Sequence, residues 1–221
     1  FFGMKSNIFG LCSNLKELAL SSIKIENLSY AYNEERIFNS ANLEIKAGEI
    51  VGVFGPSGVG KSTLLQLLCG NLQPQSGHVQ CGAEMTLLSQ DLALLPNLTP
   101  VQNCLLPALF KKMDADVVEK KAKRYLHALD LEEIIEKPCK QLSRGQMQRV
   151  SLARTLCLDA PITLLDEPTT ALDFGSDQKA LDLLKKWHRP EKIIVLVSHK
   201  PHITAWCNRA IQVDDMKLID V

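Results

Sequence analysis

Apolar and polar residues change rhythm several times along this chain, and each change marks an element. Over residues 8–20, Ile8, Leu11, Leu15, Leu18 and Ala19 recur at helical spacing. That predicts a short amphipathic helix within an N-terminal extension, residues 1–22, docked on the core. Residues 23–32 broadly alternate (Ile23, Ile25, Leu28, Tyr30), residues 37–45 form a second β-like segment, and Ala47-Gly48 is the turn that follows. Then comes Glu49-Ile50-Val51-Gly52-Val53-Phe54, an apolar run of buried-strand length. Strand patterns return at residues 162–165, 193–197 and 210–213, with a helix over 175–187 between the first two. Strands alternating with helices predict an α/β fold with a mainly parallel sheet, following an N-terminal antiparallel β subdomain.

Two stretches break that alternation. After the turn Gln73-Pro74-Gln75-Ser76-Gly77, residues 78–81 and 85–89 read as strands joined around Gly82. From Asp91 onward Pro96, Pro100 and Pro107 punctuate an apolar segment, which makes it too broken for one long helix. Residues 114–129 then form an amphipathic helix with Val118, Ala122, Tyr125, Leu126 and Leu129 on one face. We expect residues 23–221 to be one domain carrying a helical insertion at about residues 91–158.

Composition narrows the function classes. The formal net charge is zero, with 25 Lys+Arg against 25 Asp+Glu, which gives no general attraction for nucleic acid or anionic lipid. The seven cysteines include no C-x-x-C pair, which argues against a zinc site or disulfide framework and suits a reducing cytosol. The longest apolar runs are of strand length, too short to span a bilayer.

The chemistry starts at Gly55-Pro56-Ser57-Gly58-Val59-Gly60-Lys61-Ser62, which fits G-x-x-x-x-G-K-[ST] between a strand and a helix opening at Thr63. Glycines let consecutive N–H groups converge on an anion, and the helix N-terminus adds its positive end there. Gly55, Ser57, Gly58, Gly60 and Thr63 would cradle a nucleoside triphosphate, Lys61 would reach its terminal phosphates, and Ser62 would ligate Mg²⁺. Asp166 and Glu167 follow the strand at 162–165, and the carboxyl ends of parallel strands are where ligands bind. Asp166 is thus a candidate to hold Mg²⁺ and Glu167 to accept a proton from an attacking water. Taken alone, the pair could equally be an acidic turn leading into Pro168. Leu142-Ser143-Arg144-Gly145-Gln146 opens a further helix. Ser143 and Gln146 have the spacing of a capping box, a geometry that also makes an anion site.

With these motifs in this order, the chain resembles the ATP-binding-cassette ATPases, the nucleotide-binding subunits of ABC transporters, from about residue 23 to its C-terminus. Residues 142–146 are similar to the family signature L-S-G-G-Q, with Arg144 in place of the first glycine. The resemblance implies that Ser143, Gly145 and Gln146 contact the nucleotide of a second subunit in a head-to-tail homodimer or heterodimer. It also implies roles for Gln90 in sensing Mg²⁺ and water, for His199 as the switch histidine at the γ-phosphate, and for Asp173 in communicating across the dimer. Tyr32 is similar to the aromatic that stacks on adenine, with Tyr30 as its competitor. The implied activity is hydrolysis of ATP with Mg²⁺, driving a separate membrane permease from the cytoplasmic face. Soluble family members acting in repair, translation or iron–sulfur assembly, or a slow ATP-gated interaction module, are the alternatives. Residues 94–99 and 104–107 are similar to subunits of lipoprotein-releasing and macrolide-efflux systems, whereas residues 165–173 look more like importer subunits.

Overall fold

The structure, a computed structural model, describes residues 22–221; the helix expected over residues 8–20 lies outside the described residues. Two sheets organise what is described. The smaller is antiparallel and three-stranded, with β1 (Ser22–Tyr32) between β2 (Glu35–Lys46) and β4 (Ser76–Cys81). The larger has the order β5-β6-β7-β3-β8-β9. Its members are β3 (Ile50–Phe54), β5 (Met85–Leu88), β6 (Ile162–Asp166), β7 (Ile193–Val197), β8 (Arg209–Asp214) and β9 (Lys217–Asp220). All its pairs are parallel except β8 with β9 at the edge. The α/β fold with an antiparallel N-terminal subdomain, read from the sequence, is the fold observed.

The strand patterns follow from which faces are covered. β6 and β7 are buried at every position, because helices cover one face and the small sheet with the first helix covers the other. Side chains from β7 divide accordingly. Ile194 and Leu196 join the core under the helices, while Ile193, Val195 and Val197 join the core shared with β1 and β2. In β4, by contrast, exposed and partly buried residues alternate. β4 and β5 are successive strands joined around Gly82, as read from the sequence, and they belong to different sheets. Six α-helices accompany the strands among the described residues: α1 (Lys61–Leu68), α2 (Pro100–Phe110), α3 (Ala115–Ala128), α4 (Arg144–Cys157), α5 (Phe174–Trp187) and α6 (Pro201–Trp206).

The Pro-rich stretch resolves into an irregular segment and then a helix. α2 is capped by Thr99 and Gln102 in a capping box, starts on Pro100 and continues through Pro107. The segment is thus not one long helix, as its prolines suggested, although Pro107 lies inside α2 without ending it. Buried Asn103 holds the irregular part instead: its amide nitrogen donates to the carbonyls of Leu95, Leu98 and Thr99, and its oxygen accepts from Leu95 N. Those bonds satisfy a backbone that no helix or strand serves.

Candidate active site

The carboxyl ends of β3, β5, β6 and β7, adjacent in the sheet, bring their residues together in one place. From β3 the chain runs through the glycine loop into α1. Gly60, with φ of 108°, sits so close to β2 that a Cβ would lie 2.3 Å from Ile37 Cγ2, so no other residue fits there. From β5 comes Gln90, from β6 Asp166 and Glu167, and from β7 His199. A cavity of about 480 Å³ is lined by Ser57, Gly58, Gly60, Lys61, Ser62, Thr63, Gln90, Glu167 and His199. Residues as far apart in sequence as Ser57 and His199 thus share one opening.

Each charged group in this site has a defined environment. Lys61 is buried, and its ammonium donates to the carbonyls of Gly55 (2.9 Å) and Pro56 (2.8 Å). Asp166 is only 4% exposed, and its Oδ1 has no hydrogen-bond partner among the described residues. Burial pushes its pKa above the ordinary 3.8; the Ser62 hydroxyl and Lys61 counteract this only in part, while Glu167 adds to it. Glu167 has a left-handed backbone, φ 52°, unusual for a residue other than glycine. Its N–H donates to Val197 O at 3.1 Å. Its carboxylate accepts from the Thr170 hydroxyl (2.7 Å) and lies 3.0 Å, by both oxygens, from His199 Nδ1.

The remaining sequence candidates lie outside this lining. Ser143 caps α4, its hydroxyl accepting from Gln146 N (3.2 Å) while Gln146 Oε1 accepts from Ser143 N (2.8 Å). The capping box anticipated from the spacing is present. Gly145 packs against the loop after Glu167; a Cβ there would lie 2.9 Å from Ala171 O. Arg144 lines a second cavity of about 280 Å³ beside the first, along with Ser57, Gln90, Glu167 and His199. Asp173 caps α5, accepting from Ser176 N (3.0 Å) and Oγ (2.9 Å), and those bonds hold its carboxyl below the ordinary value. Tyr32 ends β1 with 45% of its surface exposed, edge-on to the buried Tyr30 at 5.0 Å. Sequence reasoning missed Thr170 and Gln148, both of which bond to Glu167. Neither belongs to a local pattern that would single it out.

Comparison with known proteins agrees with this architecture. The ABC transporter family profile matches residues 38–170. An uncharacterised ABC transporter ATP-binding protein of Methanocaldococcus jannaschii, MJ0796, is 37% identical over 220 residues, covering 87% of this chain and 93% of that protein. The macrolide export ATP-binding/permease protein MacB of Pasteurella multocida is 36% identical over 218 residues; the match takes in 89% of this chain but 34% of MacB, so the chain spans about a third of that relative. A dimeric structure of MJ0796 in a post-hydrolysis state, bound to ADP and Pi, superposes with a TM-score of 0.80 at 32% identity, covering 90% of this chain and 97% of that one. The chain belongs to the ABC transporter family, as one of its ATP-binding cassettes.

Proposed function

We propose that the protein hydrolyses Mg-ATP to ADP and phosphate at two sites shared by a head-to-tail dimer, and so drives a membrane permease to which it docks on the cytoplasmic side. The observation that carries this reading is the single cavity joining the glycine loop, Lys61 and Ser62 to Gln90, Glu167 and His199. The loop amides and Lys61 take the phosphates, and Lys61 exchanges its two carbonyl partners for them. Ser62, Gln90 and Asp166 are hard oxygen donors, and the unpartnered, buried Oδ1 of Asp166 suits a divalent cation. These residues fit Mg²⁺, which when bound would neutralise charge on the phosphate oxygens.

Glu167 takes a proton from the attacking water as its oxygen bonds to the γ-phosphorus and the bond to the β–γ bridging oxygen breaks. Thr170 and His199 orient the carboxylate through their hydrogen bonds, and His199 contacts the γ-phosphate in this reading. Tyr32 stacks on the adenine. Ser143, Gly145 and Gln146 meet the γ-phosphate of the partner's nucleotide, which Asp173 senses across the dimer. The dimeric relative and the permease named in MacB support the assembly, and no described helix is long and apolar enough to cross a membrane.

The test is Glu167→Gln, which keeps the shape and removes the base. Losing a general base lowers rates by about 10²–10⁴. The variant is expected to bind ATP, scarcely hydrolyse it, and elute as a dimer with Mg-ATP and a monomer with ADP. Adding Ser143→Arg should return it to monomer. A Glu167→Gln protein that stays monomeric at saturating Mg-ATP refutes the shared-site reading, and full turnover refutes Glu167 as base.

A further inference from the structure

Glu167 has a backbone conformation that its own sequence does not favour, and something outside its strand must hold it. Its N–H is fixed by Val197 O at the end of β7. Its carbonyl, pointing the other way, accepts from the side-chain amide of Gln148 at 2.6 Å. The oxygen of the same amide accepts from Ala171 N at 2.8 Å. Gln148 lies on α4, two positions after Gln146 of the signature, and is 6% exposed. One buried side chain therefore spans the loop from Glu167 to Ala171 and satisfies a carbonyl at one end and an N–H at the other. Only one orientation of the amide does both. The helix is seated there by a close approach of its own, since Gly145 leaves no room for a Cβ against Ala171 O.

We propose that Gln148 is a positioning residue for hydrolysis: by clamping the Glu167–Ala171 loop to the helix that carries the signature, it fixes the left-handed backbone that aims the Glu167 carboxylate into the cavity. The inference rests on the assignment of Glu167 as general base. Without the clamp, the Glu167 carbonyl loses its shortest bond and keeps only a 3.4 Å approach from Thr170 N. The loop can then relax out of the left-handed region, and the carboxylate moves with it. Nucleotide binding depends on the glycine loop and α1, whereas both side-chain hydrogen bonds of Gln148 go to the Glu167–Ala171 loop. The clamp thus acts on the chemical step and leaves affinity alone. Because the clamp is a feature of α4, any movement of the signature helix is transmitted to the catalytic carboxylate through two hydrogen bonds.

The test compares Gln148→Met, which keeps the length and loses both bonds, with Gln148→Glu, which keeps the acceptor for Ala171 N and loses the donor to Glu167. Each is measured in the wild-type protein and in Glu167→Gln. A displaced base of this kind typically costs about 10²-fold in rate. Both variants are expected to lower kcat by about 10–100-fold while KM and Mg-ATP affinity stay within about two-fold. In single-turnover assays, neither should slow Glu167→Gln any further, because the group they position is already gone. An unchanged kcat in Gln148→Met, or a loss that adds fully to that of Glu167→Gln, overturns the clamp. If Gln148→Met does not fold, Gln148→Glu decides by the same criteria. A wild-type rate in Glu167→Gln itself would instead refute the base assignment, and the clamp with it.

Discussion

Replacing Lys61 by Ala tests the phosphate loop through two separate effects, and the structure gives each a size. Lys61 donates to Gly55 O and Pro56 O, so it closes the loop on itself. Hydrogen bonds to charged groups contribute about 1.5–3 kcal/mol each. Burying an ammonium that is only 9% exposed offsets much of that. A net loss of ~2 kcal/mol, or about 4–8 °C in Tm for a domain of this size, is the expected effect without nucleotide. The second effect appears on adding ligand. At a concentration of about 100 Kd, Mg-ATP stabilises the wild-type protein by ~2.7 kcal/mol, roughly 5–11 °C. The Lys61→Ala protein should show almost none of this increase, since its phosphate contacts depend on the missing charge. Scanning calorimetry with and without Mg-ATP reads both effects in one experiment, and Lys61→Met controls for the lost aliphatic stem. A ligand-induced rise in the variant equal to the wild-type rise would refute the phosphate-loop assignment. An unchanged Tm without nucleotide would refute the self-closing role.

Tyr32→Ala should weaken Mg-ATP binding by one stacking contact, ~1–3 kcal/mol by calorimetric titration, with little change in Tm; buried Tyr30→Ala should instead lower Tm. Asp166→Asn should raise Tm at pH 7 without Mg²⁺, because burial raises the Asp166 pKa above its unfolded value and the charged carboxylate is therefore destabilising above that pKa. The same substitution should abolish Mg-dependent hydrolysis, and the Tm gain should shrink as pH falls towards the unfolded value of 3.8. Asp159 shows the opposite sign. Burial opposes its charge, but Lys192 and Lys121 outweigh that and bring its pKa down to about 2 from 3.8. The pair therefore stabilises the fold above pH 3.8, by ~2 kcal/mol at most, and that stability is lost as pH falls towards 2. Buried Lys192, whose own pKa burial lowers, reduces the net gain. Asp159→Asn, followed by urea unfolding at pH 7 and near pH 2, should be destabilising only at the higher pH.

What the sequence made legible depended on how local the physics was. The glycine loop was readable because backbone conformation, anion geometry and helix start all act within eight residues. β6 and β7 were readable because burial on both faces leaves no exposed position in them and a nearly continuous apolar run. The partnership of β4 and β5 was not, since each strand's sheet is chosen by distant strands: β1 takes β4 and β6 takes β5. Edge strand β9 and the short α6 gave no periodic signal strong enough to mark them. The prolines after Asp91 showed that the segment is not one long helix but not that Pro107 would lie inside α2, where packing of Ala108 and Cys104 in the helical core outweighs the missing N–H. At the candidate site, Gln90, Asp166, Glu167 and His199 stood out in the sequence at strand ends, in the order the family resemblance implies, and three of them line one cavity. Gln148 was beyond reach, since a glutamine inside a helix advertises nothing until the carbonyl and N–H it bridges are placed beside it.

The bonding of the site also says how nucleotide affinity is set. Lys61 and Glu167 both have partners within the chain, the ammonium two carbonyls and the carboxylate His199 and Thr170. On the proposed reading, phosphate binding at Lys61 would exchange one set of charge-assisted bonds for a stronger set, and only the difference would appear as affinity. Asp166 is different, because its buried Oδ1 has no partner among the described residues to give up. A cation there gains the full interaction and also lowers the pKa that burial had raised. It follows that the Mg²⁺ dependence of ATP affinity should act through Asp166, separately from the contribution of Lys61. Comparing ATP affinity in Lys61→Arg and Asp166→Asn across a Mg²⁺ titration separates the two contributions. If Lys61→Arg proves as sensitive to Mg²⁺ as the wild type while Asp166→Asn loses that sensitivity, the cation acts through Asp166. If Asp166→Asn keeps the wild-type Mg²⁺ dependence, the unpartnered carboxylate is not the cation's ligand.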